Sequence, residues 1–309
     1  MSTLAAADSR EPFVVLTDVR KTYGSVVALE SFSLTLGPGS LLCLVGPNGA
    51  GKTTAVECLE GVRRPDSGEV RVFGLDPAVD RRRIYERVGV QLQEATLHER
   101  LKVDELVGLF ASFYTNPADG SDLLDLLALS SKRHSAYGDL SGGQKRRLHI
   151  LLALIGNPEM VILDEPTSGL DPQARHNIWM TLKEARSRGT AVIVTTHYLE
   201  EAEDHAQRVM VIDSGRVIVD DHPSSMLSGR GLGVRISIPA RRRVDIERIR
   251  AVDGVTHIEV IEDEVLVYGR DDDVRTALRS IVGDKETEVR RARLEDLFLM
   301  LTGREYRDA

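Results

Sequence analysis

Short unbroken apolar runs alternate with stretches of helical periodicity along the first 220 residues. Beyond a tail of about ten residues, Phe13–Leu16 and the alternating Ser33–Leu36 predict a strand-rich opening. Leu41–Val45 is continuously apolar, the mark of a strand buried on both faces, and it leads through a glycine-rich loop into a helix over Lys52–Leu59. Gly68–Phe73 reads as a strand and Arg81–Val88 as a helix. From about 94 to 154 the pattern is mainly helical, in three pieces: Asp104–Tyr114, Asp122–Leu129 and Gly142–Ile155. Apolar strands follow at Met160–Leu163 and Ala191–Thr195, with a helix over Pro172–Ser187 between them. Val209–Ile212 and Arg216–Asp220 predict a hairpin turning at Ser214-Gly215. Residues 13–222 thus read as an α/β domain that carries a helical subdomain at about 94–154.

Residues 223–233, rich in Ser and Gly, read as a linker. Behind it the pattern changes to strand Gly233–Ile238, helix Val244–Val252, strands Val255–Ile261 and Glu264–Tyr268, helix Asp272–Val282, strand Glu286–Arg291 and a closing helix Leu294–Leu301. That β-α-β-β-α-β order predicts a small α+β, ferredoxin-like domain over 231–309. It holds no phosphate loop and no catalytic cluster, so its arginines and carboxylates read as a solvated face and the domain as an accessory one.

With 309 residues, 42% of them hydrophobic, the chain has material for two cores. A formal net charge of −8 argues against a nucleic-acid partner. The two cysteines, Cys43 and Cys58, sit in apolar segments without metal or disulfide spacing, which predicts buried thiols in a reducing compartment. The eight histidines show no ligand spacing. Leu148–Ile155, the most apolar stretch, falls far short of the roughly 20 residues of a spanning helix, and Met1–Pro12 lacks an apolar leader. Any work at a membrane therefore falls to a partner.

The loop Gly46-Pro47-Asn48-Gly49-Ala50-Gly51-Lys52-Thr53-Thr54 fits G-x-x-x-x-G-K-[ST] between a strand and a helix. Glycines let backbone amides close on phosphate oxygens, and the helix presents its positive end to the anion. Lys52 is placed to reach the β- and γ-phosphates of ATP, and the Thr53 hydroxyl to ligate Mg²⁺. The strand Met160–Leu163 ends in Asp164 and Glu165. Two charges at a buried strand tip are costly unless they serve a cation or a reaction. Asp164 is a candidate Mg²⁺ residue, and Glu165 the candidate base that polarises an attacking water.

Leu140-Ser141-Gly142-Gly143-Gln144 narrows the field. Ser141 can cap a helix whose amides Gly142 and Gly143 leave open to a phosphate, and Gly143 stands 21 positions ahead of Asp164. With these motifs in this order, residues 13–221 resemble the ATP-binding-cassette (ABC) ATPases, a P-loop NTPase fold. The resemblance implies that Ser141–Gln144 bind the γ-phosphate held by a second copy, and that Tyr23 stacks on adenine. It implies that Gln93 senses Mg²⁺ and the γ-phosphate, with Gln91 a competing candidate. Ser168–Asp171 resembles the loop that crosses the dimer interface, and His197 the switch histidine at the γ-phosphate. The ending Leu294–Arg304 is similar to that of drug- and antibiotic-export subunits whose permease is a separate chain. Taken whole, the resemblance implies a motor subunit in a head-to-tail dimer, with two integral membrane permease subunits, on the cytoplasmic inner face of the membrane. The alternative is a soluble member acting on ribosomes or chromosomes. It is disfavoured because the chain has one cassette and only 89 positions between Lys52 and Ser141, too few for a coiled-coil arm.

Overall fold

The computed structural model describes residues 11–91, 97–239, 245–261, 263–271, 273–282 and 287–302. It divides into two compact units. The first holds residues up to Tyr198 together with His205–Asp220; the second holds Leu199–Asp204 and the chain from Asp221.

In the first unit β1 (Val14–Tyr23) and β2 (Val26–Leu36) pair antiparallel, Val14 opposite Leu36 and Tyr23 opposite Val26. Both run well past the apolar cores that the pattern marks. The polar end of β1 is held by Asp66, which accepts from Lys21 Nζ at 2.8 Å and from the Thr22 amide and hydroxyl at 2.7 Å. After β3 (Leu41–Val45) and α1 (Lys52–Leu59), β4 (Ser67–Val72) closes a three-stranded sheet in the order β2-β1-β4.

The segment Arg81–Val88 is not one helix. Helix α2 (Arg81–Tyr85) stops, and β5 (Val88–Val90) runs parallel to β6 (Met160–Asp164). The reason lies in a distant neighbour: a Cβ at Gly89 would come within 1.9 Å of the Ala153 carbonyl oxygen, so only glycine lets this strand approach the helix beside it. Helices α3 (Val103–Ala111), α4 (Gly120–Leu126) and α5 (Gly142–Leu154) form the helical part. The chain then follows β6, α6 (Pro172–Ser187), β7 (Ala191–Thr196), α7 (Leu199–His205), β8 (Arg208–Asp213) and β9 (Arg216–Asp221).

The main sheet has the order β5-β6-β7-β3-β8-β9, parallel from β5 through β8. Leu42, Leu44, Met160, Ile162, Ile193 and Met210 share one core with α1 and the antiparallel sheet. Burial on both faces explains why these strands read as unbroken apolar runs. Cys43 and Cys58 are thiols buried in this unit. Because β3, β6 and β7 are adjacent and parallel, the residues that follow Val45, Leu163 and Thr196 emerge at one sheet edge, where open α/β sheets bind ligands.

In the second unit residues 223–233 are not a plain linker. His222 caps α8 (Pro223–Ser228) by accepting from the Ser224 amide at 3.2 Å, and Pro223, with its fixed φ, starts the helix. Then come β10 (Val234–Pro239), α9 (Ile246–Arg250), β11 (Val255–Ile261), β12 (Glu264–Gly269), α10 (Asp273–Val282), β13 (Glu288–Arg291) and α11 (Leu294–Thr302). All pairings are antiparallel in the order β11-β12-β10-β13, a split β-α-β arrangement around Ile236, Ile238, Val265, Val267 and Leu278.

The charges of this unit are not all solvated. Asp296, 2% exposed, accepts from Arg290 through both terminal nitrogens at 2.8 and 2.9 Å, from Arg235 at 3.2 Å and from the Arg293 amide at 2.8 Å. A carboxylate this deep requires fixed cations, and β10 and β13 supply them.

Candidate active site

Helix α1 is preceded by Gly51, whose φ of 107° is left-handed and whose added Cβ would meet the Ala28 carbonyl oxygen at 2.3 Å. Glycine is therefore required, and no side chain caps the first turn, so its amides remain for a ligand. Lys52 is buried and donates to the Gly46 and Pro47 carbonyls at 2.7 and 3.2 Å. Burial pushes its ammonium below the usual value, against the pull of Glu165 and Asp164. Around it Ala50 is buried, Thr54 half-buried, and Asn48 and Gly49 exposed.

At the end of β6, Asp164 is 7% exposed and accepts from the Thr53 hydroxyl at 3.1 Å and from the Thr195 hydroxyl. The next residue, Glu165, has φ 47°, a left-handed backbone that is uncommon for a side chain of this size. Its amide donates to the Thr195 carbonyl at 3.1 Å and hydroxyl at 3.0 Å. The Arg146 guanidinium donates to the Glu165 and Ser168 carbonyls at 3.0 and 2.6 Å. His197 follows β7, and its Nδ1 lies 3.2 Å from Glu165 Oε1 without hydrogen-bond alignment. The sheet edge thus gathers Lys52, Thr53, Asp164, Glu165 and His197 from three segments spread over more than 140 positions of the chain.

The remaining expected residues lie elsewhere. Ser141 caps α5 in a reciprocal pair: Gln144 donates its amide to Ser141 Oγ at 3.3 Å, and Ser141 its amide to Gln144 Oε1 at 2.9 Å. Among the described residues no hydrogen bond joins Ser141, Gly142, Gly143 or Gln144 to the loop 46–54. Asp171 caps α6 through the Ala174 amide at 2.9 Å. Tyr23 is 40% exposed, with Lys21 and Arg63 each 5.7 Å from its ring centre. Gln93 lies outside the described residues. Gln91 is 6% exposed, with its Oε1 buried and unpartnered, and it lines a cavity of about 720 Å³ with Thr53, Asp164, Glu60 and Tyr85. Burial, and then the Asp164 charge, push the Glu60 carboxyl up to about 7.

A family model described as ABC transporter matches residues 29–168. The chain is 37% identical over 305 residues to the Nod factor export ATP-binding protein I of Paraburkholderia xenovorans (strain LB400), covering 96% of this chain and 99% of that one. The chain belongs to the ABC transporter family. It is also 36% identical over 303 residues to the daunorubicin resistance ATP-binding protein DrrA2 of Streptomyces coeruleorubidus, covering 92% and 93% of the two chains. Among solved structures, an ATP-binding subunit of an ABC transporter matches with a TM-score of 0.65 at 25% identity, over 71% of this chain and 93% of that one. A dimeric ATP-binding cassette in a post-hydrolysis state, bound to ADP and Pi, matches with a TM-score of 0.61 at 27% identity, over 68% and 98%. The protein is an ABC ATPase of the export type, an enzyme that couples ATP hydrolysis to transport.

Two residues of this ABC ATPase site escape a reading of the sequence. Thr195 orients both Asp164 and Glu165, and its signal is a hydroxyl at the end of an otherwise apolar strand. Arg146 ties the start of α5 to the turn that holds Glu165. Its partners are backbone carbonyls, which carry no sequence signal.

Proposed function

We propose that two copies of this ABC ATPase close head to tail on two ATP molecules and drive export through two separate integral membrane permease subunits. The observation that carries the site assignment is the meeting of Glu165, His197 and the Thr53–Asp164 pair at the edge beside Lys52. One P-loop and one Ser141–Gln144 segment per chain, unconnected within the chain by any described hydrogen bond, support a site completed by a second copy, as in a C2 dimer. The dimeric solved relative supports the same reading. Relatives matched over nearly their full length are named as ATP-binding proteins, which supports a permease on another chain. A subunit that spends ATP on a permease works at the cytoplasmic face of the membrane. The relatives' names, Nod factor export and daunorubicin resistance, support a cargo drawn from drugs, antibiotics or other amphipathic compounds.

In this reading residues 13–222 do the chemistry and 231–309 are accessory. The backbone of Gly46–Thr54 cradles the phosphates, and Lys52 exchanges its carbonyl partners for β- and γ-phosphate oxygens. The Thr53 hydroxyl and Asp164 carboxylate, hard oxygen donors 3.1 Å apart, suit Mg²⁺ and with Gln93 would hold it; bound there, it would neutralise charge on the phosphate oxygens. Glu165 orients the attacking water and takes its proton. His197 steadies Glu165 and faces the γ-phosphate. Tyr23 stacks on adenine, Ser141–Gln144 serve the partner's γ-phosphate, and Asp171 fixes the segment that crosses the interface.

Glu165→Gln keeps the shape and loses the base. Turnover should fall by about 10² to 10⁴, and an ATP-bound dimer should accumulate on size-exclusion chromatography. A variant that hydrolyses normally, or stays monomeric with ATP, contradicts the assignment.

A further inference from the structure

The second unit contains a cavity of about 1130 Å³ whose lining residues all belong to that unit. Arg230, Arg270, Arg291 and Arg293 share its wall. They reach it from four places in the chain: just after α8, just after β12, the last residue of β13 and the turn into α11. Two carboxylates, Glu203 and Asp204, stand in the same wall. Glu203 is engaged, accepting from the Leu294 amide at 2.9 Å.

The four guanidinium groups are not equally occupied. Arg293 Nη1 lies 2.8 Å from Glu200 Oε1, and Arg230 donates to the Met226 carbonyl at 3.3 Å. Among the described residues the Arg270 and Arg291 side chains have no hydrogen-bond or ion-pair partner. Elsewhere in the unit such groups are matched: Arg235 and Arg290 hold Asp296, and Arg250 pairs with Glu247 at 3.2 Å. Four arginines thus face two carboxylates in a chain whose formal charge is −8. Like charges gathered in one concavity repel, and they raise the local concentration of anions.

The backbone fixes this arrangement. The Gly233 amide donates to the Gly269 carbonyl at 2.8 Å, and the Ala292 amide to the Gly233 carbonyl at 3.1 Å. The Thr256 hydroxyl donates to the Gly231 carbonyl at 3.1 Å. One loop, residues 231–233, therefore ties together the segments that carry Arg270 and Arg291.

We infer that the cavity is a binding site for an anion with multiple phosphate charges, taken by Arg270 and Arg291. A guanidinium fork matches phosphate and carboxylate oxygens alike. The number of cations selects phosphate, because a phosphate monoester or a pyrophosphate concentrates close to two charges or more in one small group. None of these arginines belongs to the catalytic edge.

The test titrates pyrophosphate into the full-length chain by calorimetry, with ADP and Mg²⁺ saturating so that the P-loop is filled. Arg270→Gln with Arg291→Gln keeps the side-chain stems and removes both forks. It should weaken pyrophosphate binding at least about ten-fold and leave the melting temperature and ADP affinity near those of the natural protein. Arg270→Lys with Arg291→Lys keeps the charge without the fork, and its affinity should fall between the two. Arg248→Gln with Arg250→Gln removes the same charge from α9, outside the cavity, and should leave binding within about two-fold. Sedimentation with phosphatidylcholine vesicles, with and without phosphatidic acid, separates the sources. Pyrophosphate binding without sedimentation assigns a soluble phosphate, and sedimentation that needs both phosphatidic acid and the two arginines assigns a lipid headgroup. The inference is overturned if neither probe binds or if the glutamine variant of the cavity binds as the natural protein does. Equal losses in the cavity and α9 glutamine variants overturn it too, since diffuse surface charge would give that result.

Discussion

Among the described residues two carboxylates are buried, one in each unit, and they are satisfied in different ways. Asp296 is held by guanidinium groups on two strands, at distances of 2.8 to 3.2 Å. Asp164 is met by the hydroxyls of Thr53 and Thr195. Arginine is permanently charged and its fork cannot be exchanged for anything else, so the Asp296 cluster is a fixture of the fold. Hydroxyls are neutral, they rotate, and they can turn a lone pair to a cation. In the function proposed above, such partners suit a carboxylate that takes a cation that comes and goes. The contrast separates structural from chemical acid by the chemistry of the partners, where burial alone would put the two together.

Substitution to asparagine should pull the two positions apart. Asp164→Asn is expected to reduce Mg²⁺-dependent ATP turnover at least about 100-fold and to change the melting temperature little, because the amide oxygen still accepts from one threonine hydroxyl while its NH2 can donate to the other, whose hydroxyl rotates to accept. Steady-state hydrolysis across a Mg²⁺ titration, with a thermal melt beside it, checks this; a large stability loss with turnover retained would reverse the assignment. Asp296→Asn should do the opposite. It strands Arg235 and Arg290 and should cost about 3 kcal/mol of stability, read by denaturant unfolding, while nucleotide affinity survives. Loss of ATP binding without unfolding would mean that the cluster belongs to the chemistry after all.

The smallest expected effect sharpens the comparison on the catalytic side. Glu60 lies on the cavity beside Asp164, and its carboxyl is pushed up to about 7, first by burial and then by the Asp164 charge. A carboxyl raised on folding stabilises the fold fully below its ordinary value near 4.5 and loses that contribution as pH rises through about 7. Stability should therefore decline over this window in the natural protein and decline less in Glu60→Gln. Parallel pH-stability curves for the two would show that Glu60 is not the group responsible.

The catalytic edge was legible from sequence to the extent that its logic is local. The P-loop, the Asp164-Glu165 strand end and the capped Ser141 helix each declare themselves within a few residues. The hidden parts are non-local. Strand β5 is three residues long and exists because β6 pairs with it and Gly89 lets a helix come close, so the Arg81–Val88 helix pattern overran it. Helix α8 looked like linker because its composition is that of loops, while its start depends on a histidine cap and a proline. The Asp296 cluster joins residues up to 61 positions apart, and charges scattered at that range are indistinguishable from a solvated face. Arg146 and Thr195 were missed for the same reason: what they bind is backbone, or a residue a strand away.

The left-handed backbone at Glu165 has a consequence for the history of this protein. A glutamate with φ 47° is held in place by its neighbours, Thr195 below and Arg146 beside it, against its own preference. Glycine or asparagine would occupy that conformation with less strain. With Glu165 as the base proposed above, selection for turnover and selection for a robust fold pull in opposite directions at this one codon. In a lineage that stopped using the enzyme, it is among the first places where drift away from glutamate would be rewarded.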